Sequence, residues 1–253
     1  MKIGRLWVVV TSLAVMPAFA GAARAAEITV LCSNGLRAVM QDMAPEFERA
    51  SGHKLLVRYG LAAAFKQQID AGEAFDVVVL TPPLIDDAIK RGLVAADTRS
   101  VIGRAGIGVA IRAGAPRPDI GSAEAFKSAL LAAKSVGFAK EGASGAYFAG
   151  LIGRLGVADA MGQRLKPMPT GVEVGEAVVH GEVELAVLPI SEILPIRGAE
   201  LLGPFPADVQ SYVVMTAGVG AAGKERAAAA ELIRFLKSPA ALPVIAKKGM
   251  EPG

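Results

Sequence analysis

The sequence predicts an α/β protein of two lobes, with a doubly wound sheet in each. Three observations carry that reading. Short apolar strands alternate with amphipathic helices along the chain, repeatedly in the order strand, turn, helix. The segment Asp76-Val77-Val78-Val79-Leu80 is an unbroken apolar run, as expected of a parallel strand covered on both faces. The composition is rich in Ala, Gly and Val and only 5% aromatic, which suits helices packed closely on parallel strands.

The chain opens with Lys2 and Arg5, an apolar run over residues 6–20 containing Pro17, and the small-residue pattern Ala23-Arg24-Ala25. This is the layout of a secretory signal peptide, residues 1–25, cleaved near Ala25. The apolar run is short of the ~20 residues a membrane span needs. Of 27 Lys and Arg against 24 Asp and Glu, the three in the leader (Lys2, Arg5 and Arg24) account for the whole net charge of +3. The mature chain is neutral, so its charge offers no attraction for nucleic acid or an acidic membrane. Cys32 is the single cysteine, which excludes an intramolecular disulfide and a cysteine metal cluster. Within an apolar strand it reads as a buried, inert thiol. The single tryptophan, Trp7, lies in the leader.

The first strand, residues 28–32, runs through Ser33-Asn34-Gly35 into a helix over 36–50. Leu36, Val39, Met40, Met43 and Phe47 recur there at helical spacing, and Ser51-Gly52 ends it. A turn of this kind leaves backbone N–H groups pointing out of the helix N-terminus, where an anion is favoured. A strand over 54–59, a helix over 62–71 and the strand over 76–80 complete a βαβαβ unit. Thr81-Pro82-Pro83 then starts a helix, Pro being well tolerated in the first turn. Residues 104–112 form a strand entering a new region, and a rigid connector spans 114–119. A helix over 123–133, a strand over 135–139, the glycine-rich turn 141–145 and a helix over 146–155 follow. Further on come a helix over 172–180, a strand over 184–188 and a helix begun and capped by Ser191 and Glu192. A strand over 212–215 and helices over 224–236 and 239–248 close the chain. Residues 26–103 then form the first lobe, 104–209 the second, and 210–253 return to the first, with crossings near 104–112 and 210–218.

The order of these segments resembles a known family. The strand-Ser33-Asn34-Gly35-helix unit is followed by EFERASGHKLLVRYG, QQIDAGEAFDVVVLTPP, GASGAYFAGLIGRLGV, VGEAVVHGEVELAVLPISEI and AAELIRFLKSPAALPVIAKKGMEP. Together they resemble the periplasmic molybdate-binding family of type II solute-binding proteins over essentially the whole mature chain. The resemblance implies a two-lobed Venus-flytrap fold. Its ligand would sit in the interlobe cleft, met by donors from strand-to-helix turns of both lobes. It implies a small anionic ligand, an ABC-transporter permease as partner, a periplasmic location and a monomer, with no cofactor, metal or nucleic acid.

The sequence departs from that family at informative places. Gly35 stands where the first turn of a molybdate binder presents a serine, and Leu61-Ala62-Ala63-Ala64 gives the second turn no hydroxyl. Pro189 replaces a tyrosine near the end of a second-lobe strand. A desolvated tetrahedral oxyanion needs several hydrogen bonds, so a di- or tricarboxylate is the expected ligand and molybdate or tungstate the lesser expectation. The expected contacts are Ser33, Asn34, Gly35, Ala62, Ala63, Thr81, Ser144, Gly145, Tyr147 and Gly171. Arg104 joins them as a guanidinium fork suited to a carboxylate, set against a surface ion pair.

His53 and His180 are the only histidines, and their spacing fits neither a zinc site nor a Ser–His–Asp arrangement. No phosphate-binding loop or dinucleotide fingerprint occurs. Two functions remain. One is a non-catalytic receptor that closes over its anion. The other follows from a resemblance to periplasmic aconitate isomerase, an enzyme that would shift a proton and a double bond in a tricarboxylate. In that case Tyr147 or Glu141 is the proton carrier to examine.

Overall fold

The structure is a computed structural model that describes residues 25–253; residues 1–24 of the expected leader, Trp7 among them, lie outside the described residues. Strand β1 (Glu27–Ser33) passes through one 3-10 turn (Asn34–Leu36) into α1 (Arg37–Ser51). Gly52 ends that helix in the left-handed conformation, φ 74°, where a side chain would be strained. Next come β2 (Lys54–Gly60), α2 (Ala62–Asp70), β3 (Val77–Leu80) and α3 (Pro82–Lys90). Strand β4 (Ser100–Arg112) leads to α4 (Ala123–Ala132), β5 (Val136–Ala139), α5 (Ala143–Arg154) and α6 (Ala158–Met161). Then follow β6 (Leu165–Met168), α7 (Gly171–His180), β7 (Leu185–Pro189), α8 (Ile190–Ile193) and β8 (Ala199–Pro204). The chain ends with β9 (Tyr212–Val219), α9 (Arg226–Leu236), α10 (Ala241–Lys247) and β10 (Glu251–Pro252).

The strands lie in the order β2-β1-β3-β9-β4-β7-β5-β6. In one half β1 is parallel to β2 and β3, and β9 runs antiparallel to β3. In the other half β5 is parallel to β6 and β7. Strand β4 belongs to both. Its first residues, from Ser100 to Gly106, pair with β9, while Ile107 to Arg112 pair with β7 and β8. The parallel strands of each half are therefore flanked by antiparallel β4 and β9, and the carboxyl ends of the parallel strands in the two halves come together. Open α/β sheets bind ligands at that end.

The largest apolar cluster runs through both halves, from Ile28, Met40 and Phe47 to Phe126, Phe148 and Val187. Phe126, Phe138, Phe148 and Phe205 stack within it, with ring centroids 4.7–6.3 Å apart. Strand β3 is fully buried, as its unbroken apolar run requires. Cys32 is buried too, and burial pushes its thiol up to about 12, so it stays protonated and inert. His53 accepts a hydrogen bond from the Ala26 amide at 3.0 Å through Nδ1, which ties the start of β1 in place.

Several elements differ from the sequence expectation. The glycine-rich turn is itself helical from Ala143, because Gly145 brings the helix backbone against the carbonyl of Ala139, closer than a Cβ would allow. Ser191 and Glu192 lie inside the short α8, whose N-cap is Pro189, and do not cap it. Strand β4 begins four residues earlier than expected, at Ser100. Strands β6 and β8 carry no alternating apolar pattern, since both are largely half-exposed. Among the described residues, no helix is long and apolar enough to cross a membrane, and no group of three or more His, Cys, Asp or Glu is placed to hold a metal ion.

Candidate functional site

Where the carboxyl ends of the strands meet, six strand-to-helix junctions surround a small cavity of about 40 Å³. One half contributes Asn34 and Gly35 after β1, Leu61 and Ala62 after β2, and Thr81 after β3. The other contributes Ser144 after β5, Gly171 at the start of α7, and Pro189 and Glu192 after β7. Val213 and Met215 of β9 complete the wall. The N-cap residues of α2, α3 and α5 are Leu61, Thr81 and Gly142, and none of them caps its helix with a side chain. The leading amides of those helices thus lack side-chain partners at the edge of the cavity. Together with the positive ends of the helix dipoles they favour an anion. Thr81 and the buried Ser144 add hydroxyls.

A larger cavity of about 390 Å³ adjoins the small one and shares Asn34, Gly171 and Glu192 with it. It lies between α1, α7 and α8, and its charged walls are Arg37, Glu176, His180, Glu192 and Arg197. Arg37 donates from Nη2 to Asn34 Oδ1 at 2.9 Å and lies 5.0 Å from the centroid of the Tyr59 ring. Its Nε is buried without a hydrogen-bond partner. A donor left in that state costs free energy unless a ligand or water satisfies it.

Helix α8 brings the second half against the first. Ser191 donates from Oγ to the Gly35 carbonyl at 3.0 Å, across the cleft. The next residue, Glu192, sits between the two cavities. Burial raises its carboxyl from the usual range to about 7, although the nearby Arg37 cation pulls the other way. Gly171 faces that carboxyl, and a Cβ there would overlap Oε2 of Glu192. The glycine leaves the acid that space.

Residues 28–251 match the model of the bacterial extracellular solute-binding proteins. The chain belongs to that family. Among curated relatives of this solute-binding protein, an aconitate isomerase of a Pseudomonas species is 29% identical over 231 residues, covering 89% of this chain and 87% of that one. The molybdate-binding protein of Escherichia coli K12 is 25% identical over 238 residues, covering 92% of both. Among solved structures, the periplasmic molybdate-binding protein of Azotobacter vinelandii superposes with a TM-score of 0.77 at 16% identity, over 89% of this chain and 99% of that one. The two-lobed type II fold expected from the sequence is the fold of such neighbours.

In this solute-binding protein six of the expected contacts line the small cavity: Asn34, Gly35, Ala62, Thr81, Ser144 and Gly171. The others do not. Ser33 is buried beneath the turn and donates to the Val79 carbonyl at 2.5 Å, binding β1 to β3. Ala63 is half-buried on α2, one residue beyond the lining. Gly145 packs against Ala139. Tyr147 donates from its hydroxyl to the Val209 carbonyl at 2.9 Å, which occupies the proton proposed for catalysis. Glu141 is exposed ahead of α5 and outside both cavities. Arg104 pairs with Glu251 at 2.7 Å and stacks 4.6 Å from the Tyr212 ring centroid. It lies opposite Val214, on the sheet face away from the lining residues Val213 and Met215. Sequence reasoning missed Arg37, Arg197, His180 and the cleft role of Glu192. An acid just after an apolar strand ending in Pro189 was the available signal, and it reads equally well as a helix-start residue.

Proposed function

We propose that this protein captures a small organic di- or tricarboxylate in the cleft and, working as a periplasmic monomer, delivers it to the membrane permease of an ABC importer. The observation that carries this reading is the pair of adjoining cavities. A compact chamber edged by helix amides suits one carboxylate. The larger chamber, with Arg37 and Arg197 in its walls, suits the remainder of an elongated anion. A compact tetrahedral oxyanion fits less well. The first two turns offer it no side-chain hydroxyl, and the Glu192 carboxyl stands in the wall that would enclose it.

Thermal shift of the mature protein with molybdate, tungstate, sulfate, citrate, cis-aconitate and trans-aconitate tests this directly. A ligand at 100 times its dissociation constant stabilises by ~2.7 kcal/mol. Stabilisation by a tricarboxylate and not by molybdate is the expected result; the reverse removes the carboxylate reading.

A second reading, an isomerase that interconverts cis- and trans-aconitate by a proton shift, is favoured by one further observation. The cleft holds a titratable acid that retains its proton near neutral pH, as a proton-transferring group requires. The similarity to the Pseudomonas aconitate isomerase gives it weight. Incubating the protein with trans-aconitate and following the cis isomer separates the two readings; no conversion above the blank leaves the receptor.

A further inference from the structure

We infer that Glu192 shares a proton with the bound anion, so that the cleft takes up one proton with its ligand whenever Glu192 starts out ionised. The inference rests on the reading of the cleft as an anion site. Among the described residues, Glu192 is the one titratable side chain that lines the small cavity, and it borders the larger one as well. An anion held by the helix amides lies beside its carboxyl. Two negative groups sharing one site cannot both stay ionised without strong repulsion, so one of them keeps a proton. That proton then makes an O–H···O⁻ hydrogen bond, among the stronger kinds. Gly171 leaves room for this arrangement, because a Cβ there would meet Oε2 of Glu192 and the carboxyl would have to shift.

The surroundings favour Glu192 as the carrier. It shares the larger cavity with Arg37 of α1, with Glu176 and His180 of α7, and with Arg197 beyond α8; Arg37 is the cation that acts on its carboxyl. Arg37 is already engaged with Asn34 and the Tyr59 ring. Even with that cation nearby, burial alone holds the acid near neutrality before an anion arrives. An anion raises it further. Below about pH 7 the proton is already on Glu192 and binding takes none. At higher pH each binding event draws one from solvent, and affinity falls by up to tenfold per pH unit. A fully deprotonated anion is thus admitted only with a proton supplied to the site, a condition that backbone amides by themselves do not impose.

Isothermal titration calorimetry at pH 8.5, in Tris and in HEPES buffer, counts the protons from the difference in apparent heat. The probes are cis-aconitate and molybdate. Wild-type protein is expected to take up close to one proton per cis-aconitate bound, and Glu192→Gln none, with affinity independent of pH between 6 and 9. Binding of cis-aconitate without proton uptake overturns the inference and leaves the carboxylate reading intact. Uptake with molybdate, when no carboxylate binds, upholds the inference and removes the carboxylate reading. If neither anion binds, both fall. Uptake that persists in Glu192→Gln assigns the proton elsewhere, His180 first, and also overturns the inference. Should Glu192→Gln not fold, the carbon-13 shift of the Glu192 carboxyl in wild-type protein decides. A carboxyl still protonated at pH 8.5 with the anion bound supports the inference, and an ionised one refutes it.

Discussion

On one wall of the cleft the turns after β1, β2 and β3 offer backbone amides, Asn34 and the Thr81 hydroxyl. On the other, the turns after β5 and β7 offer Ser144 and the Glu192 carboxyl. The first wall has no titratable side chain at the small cavity, so its attraction for an anion is the same at any ordinary pH. The second wall adds a group whose charge depends on pH and on the ligand. The walls are joined by the bond from Ser191 to the Gly35 carbonyl, one residue before Glu192. Under the proposed function, the first wall would supply anion affinity that does not vary with pH and the second would add discrimination.

The largest test of that division is Gly171→Ala. The added methyl overlaps Oε2 of Glu192, so either the carboxyl leaves the wall or α7 shifts. Oε2 is the far end of a flexible side chain, so the carboxyl yields before the helix does and the effect falls on its position more than on stability. Since the disturbed group borders both cavities, affinity for cis-aconitate is expected to fall at least tenfold by calorimetry. An affinity unchanged by this substitution would return the second wall to a passive role.

A smaller effect, and a sharper one, is the pH dependence of stability without ligand. The Glu192 carboxyl ionises near pH 7 in the folded chain and near 4.5 when exposed. Below 4.5 it carries its proton in both states and contributes nothing. Between 4.5 and 7 only the unfolded chain ionises, so folding stability drops as pH rises, and the loss is complete above 7. The loss is at most about 3 kcal/mol, at roughly 2–4 °C in melting temperature per kcal/mol. Exposed carboxylates held low by partners, such as Asp86 beside Arg99, act in the opposite direction on acidification. The comparison is therefore between wild type and Glu192→Gln. The variant is expected to gain several degrees over wild type at pH 8 and nothing at pH 4, as followed by scanning calorimetry.

How much of this was readable beforehand differs between the walls for physical reasons. The first wall follows from local pattern. Val77 to Leu80 is apolar throughout, α1 is amphipathic over four turns, and Ser33-Asn34-Gly35 and Thr81-Pro82-Pro83 mark the junctions. Local pattern together with the family resemblance points to Ser33, Asn34, Gly35, Ala62, Ala63 and Thr81 on this wall, and all but Ser33 and Ala63 line the cavity. The second wall depends on α8, four residues long, too short for any periodicity to show. What makes Glu192 unusual is its half-buried place between the two cavities and the missing side chain at Gly171, which is 21 residues away in sequence. Such long-range packing leaves no local mark. Tyr147 and Arg104 lie outside both cavities for the complementary reason. Each has the right chemistry for a polyanion, and its partner, Val209 or Glu251, is far away in sequence.

Arg104 provides the smallest expected effect and the control for the whole comparison. Its guanidinium chemistry suits a carboxylate, yet the strand pairing puts it on the outer face of the sheet, beside Glu251 and over Tyr212. Both members of the ion pair are half-exposed, at 51% each, and exposed pairs contribute about 0–1 kcal/mol. Arg104→Ala is therefore expected to lower the melting temperature by a few degrees at most and to leave cis-aconitate affinity within about twofold of wild type, a free-energy change below the net worth of one hydrogen bond. The twofold limit is decisive because the positive charge is lost entirely. If charge near the cleft acted at a distance, removing Arg104 would weaken binding and the loss would shrink as salt is added. If the anion is held by the contacting groups of the two walls, the ratio of variant to wild-type affinity stays the same at low and at high salt. A tenfold loss at low salt would place Arg104 back among the residues that hold the ligand.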